Sequence, residues 1–202
     1  MKLEGINDNP LSARWKKRFS EQSIEIQNKL KQLDTIGVKD YQLKVIKKSK
    51  IEPKDGDIFV LSPREGIFFY GRVLKANIEH VTKDSFIHGK HVIVIFKCRT
   101  KSLDISNYYA NYNDLLTGPD MVDNTYWTKG LFLTIGNIEN EMFESELDYG
   151  FYSIGKCKYF KENGHELDHQ PKVLGIYGIA TIAAIARNIE KELIMNPDLL
   201  VF

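Results

Sequence analysis

The shortest run with a chemistry of its own is His165-Glu166-Leu167-Asp168-His169. It reads H-E-x-x-H. In that pattern two imidazoles one helical turn apart hold zinc, and the glutamate between them acts as general base. The chemistry needs a helix. Asn163-Gly164 ahead of the run is a hairpin-turn signal, and Pro171 behind it discourages a helix. A third ligand is also required, and Glu190, placed near the exposed end of an apolar helix, is the only candidate. The run therefore reads as a polar hairpin tip. No metal is expected, and a zinc-dependent hydrolase at 165–169 remains the alternative.

Other chemistry is sparse. His88 and His91 lead into a strand, where positions three apart face opposite ways, so they read as a turn. No G-x-S-x-G, P-loop or G-x-G-x-x-G occurs. No catalytic residue and no cofactor is expected. Cys98 and Cys157 make no disulfide framework and read as two reduced, mostly buried thiols.

One run suggests binding rather than catalysis. Glu139, Glu141, Glu144, Glu146 and Asp148 put five acids into ten residues with no base, and Met142, Phe143 and Leu147 interleave with them. Read blandly, this is a solvated loop. Read functionally, it is a partner-facing patch suited to a basic active site, with acids to steer and apolar side chains to anchor.

The elements that must position these residues follow from composition and period. The chain has 202 residues, 43% hydrophobic and 27% charged, which is globular composition. Its formal charge of +1 gives no global pull toward nucleic acid or membrane. Apolar runs such as Val92–Phe96 fall far short of the ~18 residues of a span. No signal-like segment opens the chain, so a cytoplasmic location is expected. The charge is uneven: residues 1–54 hold 13 basic and 7 acidic residues, and residues 55–202 hold 15 and 20. A basic N-terminal stretch thus precedes an acidic remainder, and the chain divides into a basic amphipathic helical arm over 1–40 and an α+β domain over 41–202.

Asn9 and Pro10 suit a helix start, and Leu11, Trp15, Phe19, Ile26, Leu30 and Leu33 form one amphipathic stripe up to Gly37. Period-two runs place strands near Gln42–Ile46, Asp57–Leu61, Ile67–Lys75, His91–Lys97, Lys129–Ile135, Tyr149–Ile154 and Lys156–Phe160. Gly118-Pro119 reads as a turn between them, and Asp104 to Leu116 as a short helix or ordered loop. Ile179, Ile182, Ala183, Ala186, Ile189 and Leu193 then give a strongly apolar last helix. Ile182, Ala183, Ala186 and Ile189 are expected fully buried. The class is α+β: a mainly antiparallel, twisted, partly barrel-like sheet packed by that helix, with an N-terminal amphipathic helix added.

Two stretches carry a resemblance. Ile51-Glu52-Pro53-Lys54-Asp55-Gly56-Asp57-Ile58-Phe59-Val60-Leu61 and then Gly66-Ile67-Phe68-Phe69-Tyr70-Gly71-Arg72-Val73-Leu74 resemble the opening of the immunity protein 26 family of bacterial polymorphic toxin systems. Trp127-Thr128-Lys129-Gly130-Leu131-Phe132 and Ile135-Gly136-Asn137 are similar to its next pattern. Gly56, Asp57, Phe59, Gly71, Arg72, Trp127, Gly130 and Gly136 are its motif positions here. The resemblance covers roughly 51–165 and implies a cytoplasmic antidote that binds one protein toxin. The same opening faintly resembles small-barrel ribonuclease toxins. A ribonuclease presents a basic groove to phosphates, whereas residues 55–202 carry net −5 (15 minus 20).

Overall fold

The computed structural model describes residues 9–139 and 147–202. Asn9 caps α1 (Pro10–Ser20) by accepting from the Ser12 amide, and proline fills the first helical position, as the sequence implies. The stripe does not form one helix. It breaks after Ser20, and Ser23 caps a second helix, α2 (Ile24–Leu33), by accepting from the Ile26 amide. The seven-residue gap between Phe19 and Ile26 leaves room for that break.

Five strands make the main sheet: β1 (Asp57–Arg64), β2 (Ile67–Lys75), β3 (His91–Thr100), β4 (Leu115–Val122) and β5 (Phe132–Asn137). A short helix, α3 (Thr125–Thr128), joins the last two. The order is β4-β3-β2-β1-β5, all neighbours antiparallel. The sheet is open, with β4 and β5 at its edges, and does not close into a barrel.

Both faces of this sheet are buried, which is why its central strands read as nearly continuous apolar runs. Alternation sends Phe59, Leu61, Phe69, Val73, Ile93 and Ile95 to one face, and Ile58, Val60, Tyr70, Val92, Val94 and Phe96 to the other. The first face is covered by α4 (Ile182–Met195) through Ile185, Ala186, Ile189 and Leu193. Helical period shifts the buried stripe from its expected place: Ile182 and Ala183 are only partly buried. Ile179 precedes the helix and bridges Met121 instead.

A second sheet covers part of the other face through Phe151. It contains β6 (Tyr149–Ser153), β7 (Lys158–Phe160), β8 (Glu166–Leu167) and β9 (Val173–Ile176), in the order β8-β7-β6-β9. β6 and β9 run parallel. Gln42–Ile46, expected as a strand, joins no ladder. It is held by single bonds, Lys44 N–H to Ser62 O and Ile46 N–H to Gly130 O.

The N-terminal helices are fastened to α4. Nη1 and Nη2 of Arg18 donate to the Glu192 carboxylate, at 2.7 and 2.8 Å. Arg187 pairs with Asp34, and Lys191 Nζ lies 4.3 Å from the Trp15 ring centre. Glu190, expected near an exposed end, is largely buried and takes Arg64 at 2.6 and 2.7 Å. No helix among the described residues is long and apolar enough to cross a membrane.

Candidate functional site

The H-E-x-x-H run falls on β8 and the bend after it, not on a helix. Glu166 pairs with Lys158 across the β7–β8 hairpin. His169 lies between Asp148 and Asp168, each 3.0 Å away. The Asp148 hydrogen bond, followed by that from Asp168, holds its imidazole above the usual histidine range. Glu190 is occupied by Arg64 on the main sheet. Among the described residues no group of three His, Cys, Asp or Glu side chains is placed to hold a metal ion.

His91 is not a turn residue. It opens β3 and is wholly buried. Nδ1 accepts from the Asn77 amide at 3.2 Å and Nε2 faces Asn124 Oδ1 at 2.8 Å, which assigns the proton to Nε2. Burial pushes its pKa down. His91 also packs edge-on to Trp127. His88 is exposed on the preceding turn. Of the two thiols, Cys98 is half-buried and Cys157 exposed, against the expectation that both would be mostly buried.

The motif positions are used for packing and for holding one segment. Phe59 stacks on Phe132 at 4.5 Å, and Trp127 meets both rings edge-on. Gly130 lets the Lys47–Lys48 peptide approach, and Gly136 lies under Ile105. Gly56, Asp57 and Arg72 converge on residues 137–139. Gly56 has φ +81, and a Cβ there would lie 2.2 Å from Ile138 O. Its carbonyl accepts from the Ile138 amide at 3.1 Å. Asp57, buried, accepts from Asn137 Nδ2 at 2.7 Å and from the Lys54 amide at 3.0 Å. Arg72, 2% exposed, donates to Ile138 O at 2.9 Å.

Those three residues therefore fix the start of the acidic run. Its end is fixed as well. Leu147 packs into the core on the Tyr70 side of the sheet. Asp148 accepts from His169 at 3.0 Å and from the Lys172 amide at 3.1 Å. The His169 bond leads the effects that lower the Asp148 pKa. Glu139 is exposed at the first end. Glu141, Met142, Phe143, Glu144 and Glu146 lie outside the described residues.

Asp104 to Leu116, expected as a short helix or an ordered loop and given no role, is a loop that runs into β4 at Leu115. Tyr70 O–H donates to Asp104 O at 2.8 Å, and Tyr108 packs edge-on to Tyr70 and Phe96. The arrangement offers no nucleophile with an adjacent base. It brings residues 137–139, where the acidic run begins, beside the loop 101–111.

A family model, Immunity protein 26, matches residues 54–159, just over half of the chain. No curated protein and no solved structure matches it.

Proposed function

The chain belongs to the immunity protein 26 family, and from that premise we propose that it binds one cognate bacterial toxin and neutralises it by covering the toxin's active site. The observation that carries this reading is the fastening of the acidic run at both ends. Gly56, Asp57 and Arg72 hold its start, and Leu147 with Asp148 holds its end. Glu139, Glu141, Glu144, Glu146 and Asp148 supply the charge, and Met142 and Phe143 the apolar contacts. The protein acts by binding and not by catalysis, in the cytoplasm, without cofactor, nucleic acid or membrane. A hydrolase at 165–169 draws no support from the geometry, because a strand does not put His165 and His169 on one helical face.

The test is co-expression with the toxin domain encoded beside this chain, followed by association kinetics. Growth is rescued by the parent. The triple change Glu141→Gln, Glu144→Gln, Glu146→Gln slows association and flattens its salt dependence, because outer charges act mainly on the on-rate. Equal on-rates at low salt for variant and parent would remove the run from the interface.

A further inference from the structure

A groove of about 640 Å³ opens between α1, β4, β9 and α4, a volume in the range of small-ligand sites. Three of its four walls, α1, β9 and α4, lie outside the residues the family model matches. β4 and β9 each end a sheet, and the groove runs along residues 114–120 and 172–176. Among the described residues, 115–118 make no backbone hydrogen bond beyond the ladder with β3. Trp15 and Ile176, the latter 54% exposed, add apolar surface to the lining.

The charges of the groove fall into two groups. The first is Asp120 with Thr117. Asp120 lines the groove and is partly buried as a residue, yet its Oδ2 and the Thr117 Oγ1 are sealed from solvent and find no well-formed hydrogen bond. A sealed carboxylate without a donor is costly. Burial raises the Asp120 pKa, the Thr117 hydroxyl opposes it, and no cation acts on it. Tyr126 of α3 is the titratable group that feels Asp120, and burial leads the rise in its own pKa.

The second group is cationic. Arg14 on α1 and Lys172 ahead of β9 are exposed and make no ion pair among the described residues. Lys191 on α4 lies over the Trp15 ring. The other two cations of the lining are taken, Arg18 by Glu192 and Lys97 by Asp114. Since none of the five acts on Asp120, the two groups stand apart along the groove.

We propose that this groove binds a short peptide with both ends free, its ammonium on Asp120 and Thr117 and its carboxylate among Arg14, Lys172 and Lys191. A lone cation would satisfy the carboxylate but meet three unbalanced cations. A lone anion would leave the carboxylate without a donor. A zwitterion answers both, and a peptide backbone adds donors and acceptors for the free edge of β4. The inference goes beyond the toxin reading and does not depend on it.

The test titrates the full chain with trileucine, followed by calorimetry and by tryptophan fluorescence. Trp127 is buried in the core, so the fluorescence change reports Trp15. Trileucine binds to the parent. N-acetyl-trileucine binds about tenfold or more weakly, and trileucine loses as much against Asp120→Asn. The two losses do not add, because they remove the same contact. Trileucine amide loses affinity for the parent, and trileucine loses it for the double variant Arg14→Gln, Lys172→Gln. No histidine is in the lining, and both peptide ends stay charged between about pH 5 and about pH 7. Over that window affinity for the parent rises as Asp120 ionises, while affinity for Asp120→Asn stays level. The acetylated peptide probes the same contact on the parent chain, whatever the variant does to the fold. Absence of heat and of fluorescence change at millimolar trileucine overturns the site. Equal affinity for the free and acetylated peptides overturns the role of Asp120 and leaves an anion site only. Equal affinity for trileucine and its amide overturns the cationic end.

Discussion

Gly71 of β2 stands opposite Phe59 of β1, and the phenyl ring occupies the space where a side chain at 71 would begin: a Cβ there would lie 2.2 Å from Cζ. The same ring is stacked on Phe132 and met edge-on by Trp127, so it has nowhere to move. Gly71→Ala is expected to cost about 1–3 kcal/mol through overpacking. In the Phe59→Leu background the same change should cost much less. A double-mutant cycle by urea unfolding checks this. Strict additivity would mean that the glycine serves something other than the ring.

Ile189 is 1% exposed at the centre of the face that α4 lays on the sheet. Ile189→Ala should cost about 2–5 kcal/mol, from lost transfer energy and the cavity left behind. Ile182→Ala, at a partly buried position on the first turn, should cost clearly less. Equal losses at the two sites by thermal unfolding would contradict this placing of the helix.

The long, strongly patterned elements were readable because their burial and period agree. β2 spans the expected Ile67–Lys75, and β1 and β3 only extend their expected ranges. β4 was not readable, since Gly118-Pro119 inside it carries the signature of a turn. A proline is tolerated there because β4 is an edge strand, and no ladder bond is needed on its outer side. Gln42–Ile46 shows the converse error. Tyr41 and Leu43 are buried and their neighbours exposed, which is strand alternation, yet the segment packs without pairing.

Arg18 and Glu192 hold the first helix on the last. Glu192 is 7% exposed, so Arg18→Ala leaves a nearly buried carboxylate without its two donors. Complete burial of both partners would make the loss ~3–5 kcal/mol. The Arg18 side chain is 36% exposed, which screens the pair and brings the expected loss to about 1–3 kcal/mol. Lys29→Ala, which breaks the exposed Glu25–Lys29 pair on α2, should cost far less, because water screens that pair. Chemical denaturation of both variants compares them directly.

The candidate surface was only half legible. A run of unbalanced acids is visible in any sequence, and so is a glycine-aspartate motif. What links them is spatial. Asp57 reaches Asn137, 80 residues on, and Arg72 reaches Ile138, 66 residues on. Nothing in local spacing announces contacts at that range. The loop ahead of β4 was ambiguous for another reason: Tyr108, Tyr109 and Tyr112 look alike in sequence, yet Tyr109 is exposed while Tyr112 is buried and Tyr108 half-buried.

Asp120 on β4 faces a groove of about 640 Å³ between α1, β4, β9 and α4. The residue as a whole is half-buried, but its Oδ2 is sealed from solvent and finds no well-formed hydrogen bond among the described residues. Burial pushes its pKa from 3.8 up to about 6, offset in part by the Thr117 hydroxyl. The folded state therefore binds this proton more tightly than the unfolded state does. Between about pH 4 and pH 6 the folded chain keeps the proton while the unfolded chain releases it, so stability falls as pH rises through that window. Above it the loss is complete, at most about 3 kcal/mol for a shift of this size. His91, whose pKa is lowered by burial, works the other way, since its contribution is lost as pH falls below the usual histidine range. Asp120→Asn removes only the first effect. Relative to the parent, the variant should gain stability at pH 8 compared with pH 4, by up to that amount. Thermal unfolding at the two pH values measures it. An identical pH dependence in parent and variant would mean that the carboxylate is solvated in the folded protein and titrates as it does in the unfolded chain.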